Sequence, residues 1–190
     1  MHNVIAHDHD SPSSFRAQAR QSILARYKGI EFKDLKVEGV RKLEEGFEVS
    51  DEKGDVWRGR KLVLAVGVKD EMLEIEGYEA LWGTRIFHCL FCHGYEERGA
   101  KSACLLAVPD LAAPGMVMHV ARMARRLVGS VTVYTNGDGK LGEEVLKMSG
   151  KSGVKIENRK VERLEKGEGE SEVVVVLEGG VKVSEGFMVC

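Results

Sequence analysis

Apolar positions follow two regimes along this 190-residue chain. In the first third they alternate with polar ones over short runs. EFKDLKV (31–37), EGFEVS (45–50) and VWRGR (56–60) each read as a half-buried strand, with DEKG (51–54) as the turn between the last two. These predict a small antiparallel meander. Ahead of them Phe15, Ala19, Ile23 and Leu24 fall near helical spacing, which predicts a helix over 15–27 capped by Ser13 or Ser14. KLVLAVG (61–67) is different: a continuous apolar run ending in glycine, the pattern of a strand buried on both faces. Residues 71–82 read as a loop.

From about residue 103 the rhythm changes. A strand (103–108) leads through the turn PDLAAPG (109–115) into a helix (116–127), then a strand (130–135), the turn NGDG (136–139) and a helix (141–148). Strand, turn, helix, strand describes a right-handed βαβ crossover. A strand at 154–157, a hairpin pair at 173–177 and 181–183, and a last strand-like run at 187–190 continue the alternation.

Composition narrows the classes. Hydrophobic residues make up 43% and charged residues 31%, with a formal net charge of −2, an ordinary globular balance. No basic stripe suited to nucleic acid is present. No apolar run approaches the ~20 residues of a membrane span. The first ten residues lack the basic-then-apolar pattern of a secretory signal, which points to the cytosol. His2, His7 and His9 lie near Asp8 and Asp10, but a solvated terminus explains them better than a metal site.

Chemistry concentrates at 87–97, FHCLFCHGYEE, where Cys89 and Cys92 bracket two residues and His93 follows directly. Zinc needs four ligands, usually from two such pairs, and Cys104 and Cys190 stand alone. The pattern also matches a c-type haem attachment, which requires export and a helical haem shell. Two buried apolar thiols are the plainest alternative. The redox reading has the stronger physical basis. At a helix start, one thiol's pKa falls; its thiolate attacks a disulfide or a flavin and the second thiol resolves the intermediate. His93 is placed to shuttle the proton, with His88 and Glu96 as further acid–base candidates.

The segment WGTRIFHCLFCHGYE (82–96) resembles the active-site region of the thioredoxin-reductase-like flavoproteins. The nearest branch is that of fungal and bacterial dithiol oxidases acting on small molecules, such as those closing the disulfides of gliotoxin and holomycin. The run HNV (2–4), the helix FRAQAR (15–20), the run KLVLAVG (61–67) before VKD (68–70), and HVARMARRL (119–127) leading to VTVYTNG (131–137) fall in the family's order. The resemblance implies an α/β protein with two Rossmann-like domains, one for FAD and one where classical reductases bind NADPH. It implies Cys89 and Cys92 as the redox pair facing the flavin, and His93 at the reductases' acidic proton donor. Ala65 and Gly67 match the family's flavin-adjacent A-T-G element.

The departures are as informative. The family opens with a strand and a G-x-G-x-x-G turn that cradles the FAD pyrophosphate, and none precedes residue 61. The closing flavin-binding strands are missing as well. At the nicotinamide position prolines and Leu111 stand in for a glycine-rich turn; proline removes N–H donors, which argues against NADPH. The expected fold is therefore an incomplete two-domain Rossmann-like fold with a small antiparallel meander. Residues 1–84 are the FAD-domain remnant and 85–190 the NAD(P)-domain-like βαβ region, with the boundary around 84–100. The chain then reads as the middle of a longer flavoprotein or as a short descendant that has given up flavin.

Three functions fit. One is a dithiol–disulfide oxidoreductase acting on a small thiol-bearing metabolite through Cys89 and Cys92, with FAD supplied only if the site is completed. Another is a flavin-free isomerase, cyclase or dehydratase using the vacated cleft with His88, His93 or Glu96. The last is a non-catalytic partner that forms a homodimer or pairs with a homologous chain through exposed edges. No metal is expected. Cys104 reads as a core thiol and His119 as a packed core histidine. Arg122, Arg125 and Arg126 read as a solvated helix face, Trp57 as a core or loop anchor, and Trp82 as close enough to line a pocket.

Overall fold

The computed structural model describes Met1, residues 4–108 and residues 111–190. His2, Pro109 and Asp110, named above, lie outside the described residues. Along the sequence the chain divides into two compact units between Asp70 and Glu71.

In the first unit, helix α1 spans Pro12–Arg26. Its cap is Ser11, whose hydroxyl accepts a hydrogen bond from Ser14 N at 3.1 Å, and Pro12 opens the first turn. Ahead of it the chain folds back on itself: the Met1 amino group donates to Asp10 O, and His7 Nδ1 meets Asp10 Oδ2 at 2.9 Å. Strands β1 (Val37–Lys42), β2 (Phe47–Asp51) and β3 (Val56–Gly59) form the antiparallel meander. Its first strand lies after the expected 31–37. The reason is register: the turn at 43–46 pairs Lys42 with Phe47 and carries the ladder back only to Val37 opposite Asp51. Gly46 holds φ +100°, and a side chain there would run into Gly59 O. The second turn is built by Asp51, whose buried Oδ1 accepts from Lys53 N and Asp55 N, both at 2.9 Å.

The run 61–67 is not a doubly buried strand. It forms no ladder, and Val63 and Val66 are 85% and 88% exposed. A β-branched apolar run becomes a strand only where a neighbouring backbone takes up its N–H and C=O groups, and none does so here.

The second unit carries a five-stranded parallel sheet in the order β4 (Ile86–Phe87), β11 (Met188–Val189), β5 (Ser102–Leu106), β6 (Ser130–Tyr134), β7 (Val154–Glu157). The last residues of the chain thus enter the middle of the sheet, Met188 pairing with both Ile86 and Cys104. Alternation along β5 divides the core. Ala103 and Leu105 pack with helices α4 (Pro114–Ala124) and α5 (Gly139–Ser149), through Val117, Met118, Ala121, Leu141 and Val145. Cys104 and Leu106 pack on the opposite face, against an antiparallel sheet of β8 (Val161–Lys166), β9 (Val173–Leu177) and β10 (Val181–Glu185). This is helix, parallel sheet, antiparallel sheet: the expected α/β architecture with a βαβ crossover.

The segment expected to be a loop, 71–82, belongs to this unit. Tyr78 and Leu81, in the short helix α2 (Tyr78–Leu81), are buried in the second core cluster, with Met72, Leu73, Ile75 and Trp82 packed against it. That packing moves the division between the units ahead of the expected 84–100. Gly77 makes it fit: at φ +84° its missing side chain lets the backbone lie against Leu164, while Leu164 N donates to Glu76 O at 2.8 Å. Among the described residues no helix is long and apolar enough to cross a membrane.

Candidate active site around the Cys89–Cys92 turn

Strand β4 delivers the chain to the cysteines. Ile86 and Phe87 are buried beside β11, and the backbone leaves the sheet at His88. The turn that follows is anchored by one side chain: Leu90 is buried, while Phe91 beside it is 75% exposed. The four-residue helix α3 (His93–Glu96) then begins, with Cys92 at its cap position. Gly94 N donates to Cys89 O at 3.1 Å and Tyr95 N to Cys92 O at 3.2 Å. A side chain at Gly94 would press on Leu90 and Cys89 O, so glycine lets the helix close onto the turn.

Cys89 and Cys92 are joined by a disulfide with their Cα atoms 5.4 Å apart, inside the usual bridging range of about 4.4–6.8 Å. Both are partly exposed. With Trp82, Gly83, Ile86, Phe87, His88 and His93 they line a cavity of about 240 Å³. Rings surround the sulfurs in two near-parallel pairs. His93 lies on Phe87 at 4.0 Å between centroids and 24°, and His88 lies along Trp82 at 5.9 Å and 22°. Buried Phe87 leans in turn on Phe187 at 5.9 Å.

His93 also borders a second, larger cavity of about 550 Å³, lined by Arg85, Glu97, Lys166, Glu168 and Ser171 among others. The acidic hairpin loop after β8 forms its far wall and is held from two sides. Arg85, only 5% exposed, donates to Gly169 O at 2.7 Å and to Glu172 O, and Ser171 Oγ donates to Glu97 Oε1 at 2.6 Å. The hydrogen bond from Gly169 N, with Ser184 and Arg85 nearby, holds the Glu172 carboxyl below the usual carboxylate range.

The structure therefore gathers Cys89, Cys92, His88 and His93 around one cavity. Glu96 is placed elsewhere: it is exposed, 3.9 Å from Arg98 Nη1, and lines neither cavity. The carboxylates that share a cavity with His93 are instead Glu97, Glu168 and Glu170. Glu97 and Arg85 carried no sequence signal, because their partners lie 74 and more residues away.

Other candidates resolve simply. Cys104 is a buried free thiol pushed well up by burial. His119 is not packed in the core: it is exposed, because the buried stripe of α4 runs through Val117, Met118, Ala121 and Ala124. Arg125 closes the end of that helix by donating to Val128 O and Gly129 O. Among the described residues no group of three or more His, Cys, Asp or Glu is placed to hold a metal ion.

The cofactor candidates Ala65 and Gly67 lie in the exposed irregular segment of the first unit. Gly67 has φ +67° with open space where a side chain would be. At the start of α4, Ala113 caps without a side-chain bond and Pro114 contributes no N–H.

Comparison with known proteins agrees over the whole chain. It is 42% identical over 192 residues to thioredoxin reductase aclD of Aspergillus oryzae, covering all of this chain and 61% of that protein. It is 40% identical over 191 residues to thioredoxin reductase tcpT of Claviceps purpurea, covering 99% and 59%. An oxidoreductase from Agrobacterium tumefaciens has the same fold, with a TM-score of 0.77 at 28% identity over 99% of this chain and 59% of that one. No family model matches the chain. The chain spans about three fifths of the length of the relatives it matches.

Proposed function

Because the chain belongs with the thioredoxin-reductase-like family over the length it spans, we propose that it is a thiol–disulfide oxidoreductase whose Cys89–Cys92 pair accepts electrons from a small dithiol metabolite. The observation that carries this reading is the disulfide itself, partly exposed on the floor of a cavity with His93 beside it. One substrate thiol passes its proton to His93 and attacks a cysteine sulfur as the thiolate, giving a mixed disulfide. The second substrate thiol then displaces that sulfur. Two substrate S–H bonds become one S–S bond, the protein disulfide becomes two thiols, and both protons end on Cys89 and Cys92. Replacing either cysteine by serine is expected to abolish the exchange. Exchange surviving in the double variant refutes the mechanism.

FAD is the acceptor that the family implies for returning the pair to the disulfide. The proposed chemistry ends at the exchange between the dithiol and the protein disulfide. The start of α4 offers neither a side-chain cap nor a proline N–H, which supports a reading without NADPH. The working compartment proposed is the cytosol.

A second reading is favoured by one observation. Val63, Leu64, Val66 and Val68 expose an apolar run in the first unit. Such a run favours pairing with a second copy or with a homologous chain, which the chain would need whether or not it turns over substrate. A protein that stays monomeric by light scattering at all concentrations, alone and with homologues, counts against it.

A further inference from the structure

The larger cavity beside His93 brings together charges of both signs that do not meet. Arg85 and Lys166 border it with two cations, and Glu97, Glu168 and Glu170 with three carboxylates. Among the described residues none of these five side chains makes an ion pair. Glu97 is the most constrained of the carboxylates. Ser171 Oγ donates to its Oε1, and among the described residues nothing is bonded to its Oε2. His93 lines this cavity and the disulfide cavity alike, so an occupant here lies beside the imidazole.

Arg85 shows what the cavity lacks. It is 5% exposed, yet both of its hydrogen bonds leave from Nη1, to Gly169 O and Glu172 O. Among the described residues its Nε and Nη2 donate to nothing. Glu172, whose carboxyl it holds down, makes no ion pair with it and does not line this cavity. A buried guanidinium with one edge unused is costly, and the group that matches that edge is a carboxylate held by two parallel hydrogen bonds. An anion alone would face three carboxylates, however, and a cation alone would face Arg85 and Lys166. A ligand carrying both charges answers both.

The volume, about 550 Å³, falls within the roughly 300–1,000 Å³ of small-molecule pockets and leaves room beyond a charged head. Ala80 and Leu81 supply an apolar stretch of wall for the remainder. We infer that this cavity is a binding site for an aliphatic α-amino acid, with its carboxylate on Arg85, its ammonium on Glu97 and its side chain against Ala80 and Leu81. The inference goes beyond the redox reading and asks nothing of Cys89 and Cys92.

Three probes separate the two charges: L-leucine, N-acetyl-L-leucine with the carboxylate alone, and L-leucinamide with the ammonium alone. Each is titrated into the ¹⁵N-labelled full chain, and NMR follows the Arg85 Nε–H and the Gly169 amide. L-Leucine is expected to shift both saturably and to bind about tenfold more tightly than either one-charge analogue, the size of a charge-assisted hydrogen bond. Arg85→Gln is expected to bring L-leucine down to the affinity of L-leucinamide. Glu97→Gln keeps the oxygen that Ser171 Oγ reaches, and is expected to bring L-leucine down to the affinity of N-acetyl-L-leucine. No saturable shift with L-leucine overturns the inference. So does N-acetyl-L-leucine or L-leucinamide binding as tightly as L-leucine, which would mark a plain anion or cation site. L-Leucine affinity unchanged in Glu97→Gln overturns the placement of the ammonium, whether or not Arg85→Gln folds.

Discussion

Phe87 and His93 lie nearly face to face, their centroids 4.0 Å apart, one at the end of a buried strand and the other at the start of the helix after the disulfide. The contact fixes where the imidazole can point. Phe87 is locked between β11 and Phe187, so the imidazole proposed to take a substrate proton rests on core rather than on loop. A general base contributes ~10²–10⁴-fold when so positioned. His93→Gln is therefore expected to slow dithiol exchange at neutral pH by about 10²-fold while the Cys89–Cys92 disulfide still forms. Stopped-flow thiol kinetics at neutral pH checks this.

Arg85 is expected to matter to the hairpin loop. Its guanidinium ties two loop carbonyls to a buried position, so truncation removes both bonds and leaves Glu172 O with only the Gly167 N–H. Arg85→Ala should destabilise the second unit by roughly 1–3 kcal/mol. Denaturant unfolding measures the loss, and hydrogen exchange should rise first at 167–172.

Glu172 supplies a pH signature. Its carboxyl is held below the ordinary range by the Gly169 N–H and by Ser184 and Arg85. A lowered folded-state pKa means the unfolded chain binds the proton more readily. The stabilisation is thus fully present above the unfolded carboxylate value of about 4.3 and is lost as pH falls through the folded one. The gap in thermal midpoint between wild type and Glu172→Gln should be constant at pH 6–7 and shrink below pH 4.

Cys104 is expected to be silent. Burial pushes its thiol up and its Sγ lies 3.6 Å from Phe187 O inside the core. In the native reduced protein, iodoacetamide at pH 8 should modify Cys89 and Cys92 and leave Cys104 unmodified until denaturant is added. Mass spectrometry of the peptides reads the order directly.

The repeating α/β half was legible because 103–108 is a short apolar run and 130–135 and 154–157 carry β-branched residues at alternate positions, each set off by turn residues. β8 was harder: EKG and the glutamates around it mask a strand whose buried positions are only Val161 and Leu164. The run 61–67 misled for the opposite reason, since apolar content alone does not supply a neighbouring strand. At the site, Cys89, Cys92 and His93 were legible as a local motif, and Trp82 was near enough in sequence to be suspected. Glu97, Arg85 and the loop they hold depend on contacts across the fold, and no local pattern records them.

The most direct test is a thiol count at two positions. The air-oxidised protein should show Cys89 and Cys92 protected from alkylation. One equivalent of a small dithiol should then expose both and release one equivalent of its cyclic disulfide. Cysteines that alkylate freely in the oxidised protein, or a disulfide that no dithiol reduces under native conditions, would contradict the redox assignment.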